Sequence, residues 1–392
     1  MRLTILHILA SMLVSFLAVE LISPLTRRVA VKCGVLDNPQ SRKLQRAPVP
    51  LLGGVAVFFG IVFGACFSRA FFGSGMLYPI MLGAIVCLYL GTLDDILGLS
   101  PYTRFLMEIL VVVAMMSVKD YAINDFHGLW GVHRIPDWAA WLLTILTVVG
   151  IINAINLLDG VDGLSSGFCM MASLMFCYVF FRSGDYSWSA FSAATSGALF
   201  PFFLHNVFGK KSKIFLGDGG TLVAGLLIAS FIIRTLQTNS PVENYFHQDR
   251  ISFVAFSLAS LAVPIFDTLR VMGARIVRGH SPFDADKTHL HHLFIEMGFS
   301  HIGTTLRILL LNTLVVLCWW ISFLCGASLE VQLYVVVGVA LLISWVFYAF
   351  MMWHIRHDTP YIRHVRRIAY ATHIERKGIW FILQRIVDKF YE

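Results

Sequence analysis

Charged side chains are scarce in this sequence: Asp, Glu, Lys and Arg make up 14% of its 392 residues, against 57% that are apolar. A soluble domain carries about 25% charged residues, so the chain lacks the polar surface a water-soluble fold requires. Cysteine is sparse and scattered. Cys66, Cys87, Cys169, Cys177, Cys318 and Cys325 lie in apolar stretches and Cys33 in a basic loop, with no spacing that suggests zinc ligation or a disulfide framework. They are expected to be small apolar packing residues. No internal repeat and no low-complexity linker divides the chain, which argues against a string of soluble domains. An aromatic-basic module for nucleic acid is missing too, so the net charge of +7 is read as a topology signal.

What the sequence has is long apolar runs. About 20 such residues cross a bilayer as a helix. Windows at roughly 3–23, 51–68, 77–93, 104–118, 138–158, 164–182, 188–208, 220–238, 251–272, 305–325 and 332–353 predict an all-α, polytopic membrane bundle of about eleven helices. The first run has only Arg2 before it and no small-residue cleavage pattern before Arg27, so an uncleaved span is expected, not a signal peptide.

Charge orients the bundle. If 24–50 is cytoplasmic, alternation places 94–103, 159–163, 209–219, 273–304 and the tail from 354 on the same side. Arg27, Arg28, Lys32, Arg42, Lys43, Arg46, Lys210, Lys211, Lys213, Arg275, Arg278 and Lys287 fall there, whereas the opposite loops hold Arg69, Lys119, Arg134 and Arg250. Basic loops stay in the cytoplasm, which predicts a periplasmic N-terminus and a cytoplasmic C-terminus. Residues 1–353 are expected to form the transmembrane catalytic unit and 354–392 a basic tail. Tyr361, Arg363, Arg366, Arg367, Ile368, Tyr370, Trp380, Phe381 and Ile382 give that tail the look of an interfacial amphipathic helix on anionic lipid; a solvated basic tail is the alternative.

The acids carry the functional signal, because carboxylates in or beside membrane spans are costly and are usually functional or paired. Asp94 and Asp95 end the third span, and Asn153, Asn156, Asp159 and Asp162 end the fifth. Asp218 precedes the eighth, Asp267 lies late in the ninth, and Asp284, Asp286, His289, His291 and His292 follow it. Asn153, Asn156 and Asp159 are three apart and share one helical face, with Asp162 three further on past Gly160. Glycines at 160, 163, 217, 219 and 220 let backbone amides approach a ligand. Hard oxygen donors favour Mg²⁺. Each motif has a plainer reading: solvated caps for Asp94 and Asp95, a turn for Gly217-Asp218-Gly219, a zinc site for the histidines. Their arrival on one side favours phosphate chemistry, with carboxylates on a metal and Lys, Arg and His on phosphate oxygens. A coupled transporter would set its acids at the midplane on broken helices.

From about Asp37 to Ser300 the chain resembles the polyprenyl-phosphate N-acetylhexosamine-1-phosphate transferases, relatives of the phospho-MurNAc-pentapeptide translocases. Asp37-Asn38-Pro39 through Arg42-Lys43 and Pro50-Leu51-Leu52-Gly53-Gly54 resembles the family's first cytoplasmic loop, and Asp94-Asp95 with Gly98-Leu99 its paired-aspartate motif. Asn153 to Leu164 matches the Asn-x-x-Asn-x-x-Asp-Gly-x-Asp-Gly-Leu signature, and Phe215-Leu216-Gly217-Asp218 the Phe-x-Gly-Asp loop. Ser281-Pro282-Phe283 through Asp286, with His289-Leu290-His291-His292, resembles the His-x-His-His loop of the sugar branch. Gln45 stands where the family often has His, and Thr221 where it often has Ser.

The resemblance implies a reaction of a UDP-N-acetylhexosamine, by default UDP-GlcNAc, with undecaprenyl phosphate, giving the lipid diphosphate sugar and UMP at the bacterial inner membrane, with Mg²⁺ or Mn²⁺ required. Asp94 and Asp95 would be the catalytic pair, Asp94 taking or positioning the lipid-phosphate proton, and Asp218 would hold the metal. Asn153, Asn156, Asp159 and Asp162 would bind the nucleotide, with Phe215 stacked on uracil. His289, His291 and His292, with Arg275 or Arg278, would contact diphosphate or sugar. Membrane lipids are expected partners, nucleic acid is not, and a homodimer is compatible with the sequence. The translocase reaction is the alternative within the fold; a transporter or non-catalytic membrane protein is the alternative outside it.

Overall fold

The structure is a computed structural model and describes residues 2–37, 48–67, 75, 77–117, 121–246, 250–281, 288–373 and 378–391. Asn38, Pro39, Arg42, Lys43, Gln45, Arg46, Arg69, Lys119, Pro282, Phe283, Asp284, Asp286 and Lys287 lie outside the described residues.

Helices dominate, and the expected windows lie largely on helical chain, the ninth on two separate helices. They are α1 (Arg2–Cys33), α2 (Gly53–Phe67), α3 (Leu77–Leu97), α4 (Pro101–Met116), α5 (Asp137–Leu158), α6 (Leu164–Arg182), α7 (Tyr186–Phe208), α8 (Gly217–Thr235), α9 (Pro241–Phe246), α10 (Phe253–Ser260), α11 (Ala262–Val277), α12 (Leu290–Glu296), α13 (His301–Leu324), α14 (Leu329–Leu341) and α15 (Tyr348–Arg356). A π-helical stretch, Leu342–Phe347, joins α14 to α15. The tail forms α16 (Pro360–Ala371) and α17 (Gly378–Asp388). Among the described residues seven helices are long and apolar enough to cross a bilayer, or eight if α10 and α11 count as one bent span. This is an all-α membrane protein.

Leu3, Leu6, Leu9, Leu13, Leu17, Leu21 and Leu25 form an exposed stripe along α1, and Leu306, Leu310, Leu314, Leu317 and Ile321 another on α13. A soluble monomer rarely leaves so much contiguous apolar surface bare. Lipid is the solvent that accounts for it.

The interior is organised around α8, which is buried along nearly its whole length and packs on α3, α5, α2 and α6. Close approach is what the glycines supply. A Cβ on Gly91 of α3 would fall on the backbone of Gly219, and one on Gly54 of α2 on that of Gly220. Gly217 opens α8 with a φ of +70°, a conformation costly for other residues.

Two short antiparallel pairs mark opposite ends. β1 (Leu36–Asp37) pairs with β2 (Val49–Pro50), and the Phe215 amide donates to the Pro50 carbonyl at 2.8 Å, so this pair sits at the start of α8. β3 (Asp125–Leu129) pairs with β4 (Val132–Arg134), and the Asp125 amide donates to Leu236 beyond the far end of α8.

Four sequence expectations are corrected. The helix expected over 3–23 continues through Pro24 to Cys33, so Arg27, Arg28 and Lys32 ride on α1 and not in a loop. The ninth span is bent by 72° at Leu261; Asn312 of α13 serves the freed backbone, accepting from the Val263 amide at 3.0 Å and donating to the Ala259 and Ser260 carbonyls. Buried partners of this kind make a helix break tolerable at membrane depth. The stretch 273–304 is partly helical, since it takes in the end of α11, α12 and the start of α13. Of the cysteines only Cys87 and Cys169 are buried, whereas Cys33, Cys66 and Cys325 are exposed.

Candidate active site

Asp94 and Asp95 stand in the last turn of α3 and face different ways. Asp94 closes its helix: its Oδ1 accepts the Leu99 amide at 2.7 Å. Asp95 reaches across to α8, where both its oxygens accept the Asp218 amide, at 3.1 and 3.0 Å. The first amides of a helix have no intrahelical acceptor, so Asp95 caps α8 from a neighbouring helix. The glycine contacts described above bring it within reach.

Arg104, on the first turn of α4, was not singled out by sequence reasoning and is the centre of this cluster. Pro101 and the Ser100 cap start α4 and fix where that side chain emerges. Its Nη2 donates to Asn153 Oδ1 at 3.1 Å and Asn156 Oδ1 at 3.2 Å. Its Nη1 lies 3.4 Å from Asp94 Oδ2 and 3.7 Å from Asp218 Oδ2, and its Nε 3.4 Å from Glu108 Oε1. Asn153 Nδ2 donates to Glu108 Oε2 at 2.6 Å. Asn156 Nδ2 donates to Asp218 Oδ1 at 2.6 Å and Thr221 Oγ1 at 2.8 Å. The signal that could have found this group was a basic and an acidic residue four apart inside an apolar run, a pairing that lipid-embedded helices rarely carry without cause.

The end of α5 divides its four polar residues. Asn153 and Asn156 remain helical, and α5 stops at Leu158. Asp159 turns to accept the Ser165 hydroxyl of α6. Burial, reinforced by Asp218 and Asp162 nearby, pushes its carboxyl up to about 7 despite that hydrogen bond. Asp162 is the opposite case. Burial works against its charge, but His301 Nδ1 at 3.3 Å and Lys213 Nζ at 2.6 Å outweigh it and hold the carboxyl below the usual range. Lys213 Nζ also lies 5.8 Å from the centre of the Phe215 ring.

The histidine segment closes the third side. His289 Nδ1 lies 2.9 Å from Asp267 Oδ2, and Arg270 donates to Asp267 Oδ1 at 2.7 Å and to the Thr288 carbonyl at 2.6 Å. The His289 and His291 rings are parallel at 5.7 Å, and His291 and His292 are 4.3 Å apart. His291 reaches the turn after α5, where a Cβ on Gly160 would lie 3.3 Å from its Nε2. Burial, then the neighbouring His292 and His289, holds His291 well below the ordinary imidazole range, and so neutral. Arg275 is buried, whereas Arg278, the residue that closes α11, is exposed.

Three groups thus meet around the Asp159-Gly160 turn: Asp94, Arg104 and Asp218; Asp162, Lys213 and Phe215; and the histidines with Asp267. Asp94 and Asp218 present their carboxyls to each other, with Arg104 as shared countercharge. Two facing carboxylates, with amide and hydroxyl oxygens beside them, suit a hard divalent cation. Among the described residues, the three-ligand cluster with the tightest metal spacing is elsewhere: Asp125, His127 and Glu243, within 4.8 Å of one another at the far end of the bundle.

Residues 77–236 match glycosyl transferase family 4, a stretch that contains Asp94, Arg104, the Asn153–Asp162 series and Asp218. The chain is 29% identical over 308 residues to the probable undecaprenyl-phosphate N-acetylglucosaminyl 1-phosphate transferase of Bacillus subtilis, covering 78% of this chain and 82% of that one. It is 27% identical over 297 residues to the undecaprenyl-phosphate alpha-N-acetylglucosaminyl 1-phosphate transferase of Salmonella typhi, covering 74% and 77%. The protein of that name from Yersinia pestis is 26% identical over 279 residues, covering 70% and 73%. Over residues 77–236, then, the chain is similar to glycosyl transferase family 4.

Proposed function

We propose that this protein transfers N-acetylglucosamine-1-phosphate from UDP-GlcNAc to undecaprenyl phosphate, releasing UMP, at the cytoplasmic face of a bacterial inner membrane. The observation that carries the reading is the convergence of Asp94, Arg104, Asn156 and Asp218 at one end of a membrane bundle, in a chain whose relatives are named for that transfer. Lys210, Lys211 and Lys213 lie at the same end, and the positive-inside rule supports a cytoplasmic placement of that end.

The lipid phosphate oxygen attacks the β-phosphorus of the nucleotide sugar, the bond to the bridging oxygen breaks, and UMP leaves. The sugar–oxygen bond is untouched, so the anomeric configuration is retained. Asp94, its Oδ1 pinned by Leu99 and its Oδ2 turned to Arg104, takes or holds the proton of the attacking phosphate. Arg104 presents a planar guanidinium suited to two phosphate oxygens at once. Asp95 keeps α8 in place and so positions Asp218. Asp162 and Lys213 hold the nucleotide, with Phe215 beneath the base, while neutral His291, with His289 and His292, binds diphosphate or sugar. Mg²⁺ on Asp218 and Asp94 would neutralise charge that develops on the transferred phosphoryl group; the remaining work is positioning.

The test is a panel assay. Purified protein in detergent, given undecaprenyl phosphate, Mg²⁺ and separate UDP-N-acetylhexosamines, should release UMP and form the lipid diphosphate sugar with UDP-GlcNAc. UMP release without lipid, or no release with any donor, defeats the proposal. Turnover with UDP-MurNAc-pentapeptide alone would move the protein to the translocase reaction.

A further inference from the structure

The C-terminal segment is not part of the family match, yet it is built into the rim of the site. In α17, the Asp388 carboxylate accepts the backbone amides of Lys210, Lys211 and Ser212, the last at 2.9 Å, and the Ser212 hydroxyl at 2.7 Å. Three successive amides around one carboxylate form an anion nest. It fixes the turn between α7 and α8. That turn delivers Lys213 to Asp162 at 2.6 Å. About two turns earlier in the same helix, Trp380 packs on Phe208 with ring centres 4.8 Å apart. Below α17, Tyr391 lies 5.3 Å from His205 and 5.9 Å from the Arg27 guanidinium. Tail, α7 and α1 are therefore locked together on the acid-bearing end.

Between these elements lies a cavity of about 230 Å³, lined by Asp162, Val207, Gly209, Lys213, His301, Ile302 and Trp380. A whole small-molecule site usually measures roughly 300–1,000 Å³, so this space takes a part of a ligand. Its walls carry a carboxylate, an ammonium, an imidazole and an indole. An acceptor, two donors and a flat apolar face are the chemistry that recognises a nucleoside: hydrogen bonds to base edge or ribose, and stacking on the base. Asp162 and Asp218 both act on the Asp159 carboxyl through space, so the cavity adjoins the reacting groups.

We propose that the C-terminal tail forms one wall of the donor-nucleotide pocket, with Trp380 contacting the nucleoside and Asp388 acting as a positioning residue through the 210–212 turn and Lys213. This rests on the transferase reading for the identity of the nucleotide. It adds a specificity element contributed by a segment that the paired-aspartate and Asn153–Leu164 motifs do not reach.

The experiment measures UDP binding directly, by titration of the full chain in detergent, alongside KM for UDP-GlcNAc and for undecaprenyl phosphate. Trp380→Ala should weaken UDP binding and raise the donor KM by about tenfold, leaving the lipid KM unchanged, and Trp380→Phe should recover most of the loss. Asp388→Ala should shift the same two quantities, and Asp388→Glu should restore part of them. Unchanged UDP affinity in Trp380→Ala overturns the proposal. So does a variant that loses kcat and melting temperature while its UDP affinity and donor KM hold, since that is a purely structural tail. If wild-type protein binds UDP but transfers no sugar phosphate, the transferase reading fails while the pocket assignment stands or falls on the binding data alone.

Discussion

Asp95 commits both carboxylate oxygens to the Asp218 amide, whereas Asp94 keeps one oxygen toward Arg104. The adjacent acids should therefore fail differently. Asp94→Asn should lower kcat by at least about a hundredfold, the low end for loss of a general base, with little change in melting temperature. Asp95→Ala removes a helix cap worth about 0.5–2 kcal/mol and should lower the melting temperature measurably. Equal melting losses in both would contradict the division. Arg104→Lys keeps the charge but loses the fork that spans Asn153, Asn156 and Asp94 at once; kcat should fall roughly tenfold or more. Near-normal turnover in that variant would remove Arg104 from the phosphate site. Asp159 makes a pH prediction. Its folded-state value near 7 lies above the ordinary carboxylate value, so the folded protein holds a proton that the unfolded chain has released. Stability from this group is greatest below about pH 4 and declines as pH rises through about 7. Asp159→Asn should flatten that decline, read as a smaller difference in melting temperature between pH 5 and pH 8.

At the scale of the element, α8 is the part whose placement decides whether a site exists, and its neighbours touch it through glycine. Gly91→Ala would drive a methyl group into the backbone of Gly219. Overpacking of this kind costs about 1–3 kcal/mol, and because Asp95 rides on the same helix, melting temperature and kcat should fall together. Helix identity was legible in the sequence because apolar runs and glycine motifs report locally. Helix ends were less so: α1 outruns its apolar stretch by a basic turn, and the Leu261 break depends on Asn312, a residue fifty positions downstream whose role no local pattern records. Arg104 was hidden for a similar reason. A basic residue at the edge of an apolar run reads as a marker of sidedness, and only the packing of α4 on α5 turns it inward. The tail is the clearest case. Its basic-aromatic composition predicts one interfacial helix, but the chain forms two, and α17 presents Ile379, Phe381, Ile382 and Ile386 outward while Trp380 and Asp388 face the protein.

For the whole molecule, the site motifs are spread along the sequence from Asp94 to His292 and share one end because the helices alternate in direction. Cys33 at the end of α1 and Cys325 after α13 are both exposed and at opposite ends. In variants keeping one cysteine each, an impermeant thiol reagent added to intact cells stripped of their outer envelope should modify Cys325 and spare Cys33. The reverse would turn the site away from the cytoplasmic donor proposed for it. The central claim is transfer of an intact sugar phosphate from one phosphate to another, and isotope tracking reads it most directly. With UDP-GlcNAc labelled at the β-phosphorus, the account predicts label in the organic-soluble lipid diphosphate and unlabelled UMP, in equal amounts. Label in the released nucleotide or in inorganic phosphate would contradict the transfer, and label bound covalently to protein before lipid is added would contradict its single-step form.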